Sequence, residues 1–178
     1  AYGCSLGGSF VSLLIQRKRI HMDHGIIGSS DMDEAGKVMA TIQASIVTPI
    51  MYKMVHTGTL PKLMKKKIAQ MDDSKKKLVN GFLDMFGLGS PWITKKSIYN
   101  QFYSDLVTKV QHNMDVPNTK IHVFYATKMG KKYEKRYYTY FKNPDIHRFN
   151  MQHEELFCCH ANKWIEEVRN VVIGDVGL

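Results

Sequence analysis

The rhythm of apolar and polar positions changes several times along this chain, and each change marks an element. Phe10, Val11, Leu13, Leu14 and Ile15 are dense enough to make Gly7 to Lys18 a helix buried against a sheet, with Gly7 and Gly8 permitting close approach. Ile20 to Gly28, ending Gly25-Ile26-Ile27-Gly28, reads as a strand, and Gly28-Ser29-Ser30-Asp31 as the loop after it. From about Asp33 to His112 the period is helical: Val38, Met39, Ile42, Ile46 and Val47 form one stripe, and Leu78, Phe82, Leu83 and Phe86 another. Pro49 is expected to kink or end a helix, while Thr57 to Pro61 and Gly87 to Pro91 are connectors.

The strand signal returns at Lys120 to Ala126, an almost wholly apolar run of the kind that a parallel strand covered on both faces requires. A helix with its body at Tyr133 to Phe141 follows, then a turn at Asn143-Pro144-Asp145, a short last strand from Ile146 to Met151 and an amphipathic helix from Asn162 to Val172. That order predicts an α/β fold with a parallel sheet, in three parts: 1–31, a helical insertion over 32–113, and 114–178. The insertion has the look of a lid. No internal repeat interrupts it.

Composition narrows the class. With 44% hydrophobic and 23% charged residues the chain is of ordinary globular type, and the sequence pattern predicts no transmembrane span and no signal peptide. Cys4, Cys158 and Cys159 are too few for a disulfide framework, and their odd number fits a reducing, cytoplasmic setting. Cys158-Cys159-His160 lacks a second cluster to close a tetrahedral site, so no metal and no cofactor is expected.

A net charge of +9 favours anionic partners. Lys62, Lys65 to Lys67 and Lys75 to Lys77 form one basic run; Lys128, Lys131, Lys132, Lys135 and Arg136 form another, interleaved with Tyr133, Tyr137, Tyr138 and Tyr140. Nucleic-acid binders mix residues in this way. A solvated helix face with inward-packed tyrosines accounts for the second run more simply, so a nucleic-acid partner is not expected.

The chemistry is concentrated in Gly3-Cys4-Ser5-Leu6-Gly7-Gly8, a G-x-S-x-G-G sequence between an incoming strand and a helix. Such a turn lifts a serine hydroxyl out of a sheet and offers the next backbone N–H, here that of Leu6, as an oxyanion donor at the positive end of the helix. A partner histidine belongs after the last strand, where Met151-Gln152-His153-Glu154-Glu155-Leu156 lies. His21, His24, His122 and His147 lie within or beside strands, and His56, His112 and His160 in helical or loop stretches, which makes them weaker candidates.

Together, Tyr2 to Ser9, Met151 to Leu156 and Asn162 to Val172 resemble the nucleophile elbow, histidine loop and last helix of the α/β-hydrolase superfamily, in particular its small bacterial serine hydrolases with a helical cap. The resemblance implies the C-terminal part of the hydrolase sheet with an inserted all-helical lid, the N-terminal strands being absent. It also implies a serine hydrolase acting on a small-molecule ester, thioester or amide through an acyl-enzyme, with Ser5 as nucleophile and His153 as base. The family's usual acid position, Thr127 to Lys132, has no carboxylate, so Asp31 is the expected acid, with Asp33 and Glu134 in reserve. Asp31 or Asp33 could equally cap the first lid helix.

The family's second oxyanion donor would lie before Ala1, so weak activity is expected of this chain alone. With only Ala1-Tyr2 ahead of the elbow, an uncovered edge at Ile20 to Gly28 and self-association are also expected. The competing expectation is a degenerate module that holds an anionic partner on its basic surfaces.

Overall fold

The computed structural model describes residues 1–32 and 34–174. In chain order the elements are β1 (Tyr2–Cys4), α1 (Leu6–Arg17), β2 (His24–Gly28), α2 (Gly36–Thr57), α3 (Lys62–Ala69), α4 (Asp73–Gly89), α5 (Lys95–Val107), β3 (Lys120–Ala126), α6 (Lys131–Tyr140), β4 (Asp145–Phe149), α7 (Glu155–Cys159) and α8 (Ala161–Ile173). They divide into a sheet unit, Ala1–Met32 with Thr108–Leu178, and a helical unit, Asp33–Val107.

The sheet unit is a parallel sheet in the order β1-β2-β3-β4, as the alternation of strands and helices requires. The two central strands, β2 and β3, are buried on both faces along nearly their whole length, which is why β3 carries no polar alternation. Ile121, Val123 and Tyr125 join Ile27 of β2, Val11 and Ile15 of α1 and Tyr137 and Tyr140 of α6 in one cluster. Phe124 joins Ile26, Phe149, Leu156 and Val171 of α8 in the other. Each fully buried aliphatic or Phe side chain contributes roughly 1.5–3 kcal/mol by leaving water.

The second basic run lies on α6 and just before it. Tyr137 is 1% exposed and Tyr140 7%, whereas Tyr138 is 55% exposed, so this helix buries two of its tyrosines and shows another to solvent. The two buried hydroxyls reach the loop after β2: Tyr137 Oη donates to the carbonyl of Ser30 at 2.6 Å and Tyr140 Oη to that of Met32 at 3.3 Å.

Several expectations are corrected. β2 starts at His24 rather than Ile20, because Lys18 ends α1 in a left-handed conformation (φ 53°) and Ile20 stays exposed. β2 is also not an edge. Three residues of β1 suffice to pair with Ile26, Ile27 and Gly28, which leaves β1 as the outer strand among the described residues.

In the helical unit, Pro49 neither ends α2 nor divides it. The stripe read from the sequence is not the packing face either: Val38, Met39, Ile42 and Ile46 are exposed, while Ala40, Ala44 and Thr48 are buried. Small side chains at this i, i+4 spacing let α5, the main neighbour of α2, approach its backbone closely. By length and composition α2 could cross a bilayer, a test that helices of soluble bundles also pass. The unit also holds an apolar cavity of about 350 Å³, lined by Met51, Met54, Met64, Met71, Phe82 and Phe86 among others.

Candidate active site

Ser5 sits between β1 and α1 with φ 52° and ψ −124°, a backbone conformation that L-residues adopt only under constraint. The constraint is visible. Its N–H donates to the carbonyl of Gly28 at 2.8 Å, and its carbonyl accepts from the N–H of Gly8 at 2.9 Å, tying the turn to β2 and to the first turn of α1. A Cβ on Gly3 would strike the backbone carbonyl of Gly7, so the chain can pass here only with glycine at position 3. Leu6, as the first residue of α1, has an N–H with no intrahelical acceptor and lies directly after the serine.

β4 ends at Phe149, and the loop after it carries His153. Glu155 holds this loop: its Oε2 accepts from Gln152 N–H at 2.7 Å, while Glu155 N–H donates to the Gln152 carbonyl at 3.1 Å. Glu154 takes a left-handed conformation, φ 61°. The result is an imidazole whose Nε2 stands 3.2 Å from Ser5 Oγ, across 148 residues of sequence. His153 is 37% exposed in its side chain, so this pair is open to solvent and to a substrate.

His153 Nε2 has Glu154 Oε2 beside it at 3.9 Å, a residue not considered for this part in the sequence. Asp31 is placed by its backbone, whose carbonyl accepts from Arg136 Nη1 at 2.8 Å, in the same loop that Tyr137 and Tyr140 hold. Among the described residues, His153 Nε2 thus stands between Ser5 Oγ and Glu154 Oε2. Glu134 is engaged elsewhere, by Arg148 Nε at 2.8 Å and Nη2 at 2.6 Å. Asp33 lies outside the described residues.

Cys4, the neighbour of the serine, is a poor rival to it. Burial, then the negative charge of Glu154, pushes its thiol up to about 12, and the same two causes push Cys158 up to about 12. Neither should form thiolate in the range where free cysteine does. Ultraviolet thiolate absorbance followed against pH should therefore show these two thiols still protonated at pH 10; thiolate growing in at Cys4 near pH 9 would contradict the burial argument.

Comparison with known proteins agrees at the level of fold. No protein-family profile and no curated protein matches the chain. Among solved structures, an alpha/beta hydrolase family protein from Desulfitobacterium hafniense superposes with a TM-score of 0.63 at 16% identity, covering 96% of this chain and 67% of its own. A thioesterase domain solved with a bound dodecadepsipeptide gives 0.46 at 17% identity, over 96% of this chain and 65% of its own. The chain thus spans about two thirds of the length of these neighbours. The parallel sheet, the helices that flank it and the likeness to the first of these structures give this chain the α/β-hydrolase fold.

Proposed function

We propose that this protein is a serine hydrolase that cleaves an ester, thioester or amide through an acyl-enzyme on Ser5. The observation that carries the reading is the 3.2 Å approach of His153 Nε2 to the hydroxyl of a serine held in a strained elbow. His153 takes the proton from Oγ as the bond to the acyl carbon forms, and returns it to the leaving group when the tetrahedral intermediate collapses. Leu6 N–H donates to the oxyanion of that intermediate, aided by the N-terminal end of α1.

Charge support for the imidazolium falls to Glu154 in this reading. At 3.9 Å and an effective dielectric near 20 the attraction is roughly 4 kcal/mol, but both side chains are partly exposed, and screening reduces it to about 1 kcal/mol. Glu154 faces Nε2, the nitrogen that also faces the serine, so it stabilises the protonated ring without fixing its tautomer.

The test is labelling by a fluorophosphonate probe, expected at Ser5 and lost in Ser5→Ala; equal labelling of both proteins would remove the hypothesis. In the same assay Glu154→Gln is expected to slow labelling by about 5–10-fold, in line with that ~1 kcal/mol. Asp31→Asn is expected to change the rate by less than about 3-fold. A loss on the order of 10³ in Asp31→Asn would instead make it the acid of a full triad.

A further inference from the structure

A second cluster of reactive side chains lies across the sheet from the elbow, and the proposed hydrolysis makes no use of it. Asp145 and His147 are two residues apart on β4, so the pleat puts both on one face of the sheet. In the parallel register His122 of β3 lies opposite Asp145, and Phe124 opposite His147, which brings the imidazole of His122 onto the same patch. Asp145 Oδ2 accepts from His122 Nδ1 and from His147 Nε2, each at 3.0 Å. One ligating atom from each of the three residues falls within 4.8 Å of the others.

We propose that His122, Asp145 and His147 form a binding site for a divalent transition-metal ion of the zinc type. A tetrahedral ion with bonds of ~2.0–2.1 Å needs donor atoms about 3.3 Å apart, and the two 3.0 Å separations come within a few tenths of that before any adjustment. Two imidazoles and one carboxylate suit zinc, cobalt, nickel or copper; magnesium and calcium prefer oxygen throughout. Three protein ligands leave one position for water or an exogenous group.

The surroundings fit the same reading. His122 has its other nitrogen, Nε2, 3.2 Å from His24 Nδ1, which supplies the outer partner that a metal-bound imidazole ordinarily has and that fixes its tautomer. The side chain of His122 is 7% exposed and that of Asp145 63%, so an ion would enter past the carboxylate onto a ring already fixed by the sheet. His122 and Asp145 also line a cavity of about 370 Å³ shared with Lys120, Lys142 and Asn143, where a further ligand of the ion has room.

Cobalt is the informative probe, because its visible spectrum reports geometry and donor type. The protein should take up one Co²⁺ per chain, displaceable by Zn²⁺, with visible ligand-field absorption and without the near-ultraviolet band that cysteine thiolates produce. His147→Gln and Asp145→Asn, substitutions at the more exposed ligands, should each weaken binding by about 10-fold or more, whereas Cys158→Ser, Cys159→Ser and Ser5→Ala should leave it unchanged. Circular dichroism of the variants without metal checks that their fold is intact. Failure to bind, binding untouched by the His147 and Asp145 substitutions, or a thiolate band would each overturn the site. None of these outcomes bears on Ser5, so the two proposals fail separately.

Discussion

Replacing His153 by alanine is expected to slow acylation of Ser5 by at least about 10³-fold while leaving the unfolding free energy within about 0.5–1 kcal/mol of the parent. The first figure follows from the role of the ring: without a base at 3.2 Å the hydroxyl must lose its proton to water, and loss of one member of such a nucleophile and base pair typically costs 10⁴ or more. The second follows from exposure. The ring is partly solvated and contacts Ser5 Oγ and Glu154, so its truncation opens no cavity in either hydrophobic cluster. Probe labelling rates measured beside denaturant midpoints separate the two effects. A rate close to that of the parent would mean that the approach of the two side chains is incidental.

The elbow was legible in the sequence because it is a local event. A tight strand-to-helix turn requires glycine where backbone meets backbone, and Gly3, Ser5 and the apolar start of α1 fall within a dozen residues. β3 was legible for a similar reason: six buried residues from Ile121 to Ala126, apolar but for His122, leave few alternatives to a central parallel strand.

The approach of His153 to Ser5 is another matter. No local spacing encodes a contact across 148 residues, and the expectation came from resemblance to a known arrangement. Its carboxylate environment was not legible, since Glu154 reaches the imidazole only through the left-handed turn of its own backbone. The histidine cluster on β3 and β4 escaped for a third reason. Asp145-Ile146-His147 shows two ligands at strand spacing, but the third comes from strand register, which has no linear signature. On α2 the pattern misled because burial there depends on close helix approach, which favours Ala40 and Ala44 over the larger side chains beside them.

The elbow glycines yield the other large effect, and they do not behave as the motif alone would suggest. Gly3→Ala should destabilise the protein by about 3 kcal/mol or more, because the new Cβ meets the Gly7 carbonyl, a backbone group that cannot rotate away. At Gly8 the obstacles are Ser30 Cβ at 2.7 Å and Ile27 Cγ2 at 2.9 Å, side-chain atoms of buried residues in and beside β2, so alanine there should cost about 1–3 kcal/mol by forcing α1 away from the sheet. Gly7 differs from both. A Cβ at that position meets nothing within 4 Å, and Gly7 lies in the first turn of a helix, where alanine is preferred. Gly7→Ala should therefore be neutral or stabilise by up to about 1 kcal/mol, although it alters the last glycine of G-x-S-x-G. For a chain of this length each kcal/mol moves the melting temperature by roughly 2–4 °C, so thermal unfolding of the three variants resolves the order. Gly7→Ala as damaging as Gly3→Ala would show that the crowding at the elbow is distributed differently, and that the strain at Ser5 rests on the motif's second glycine rather than on its first.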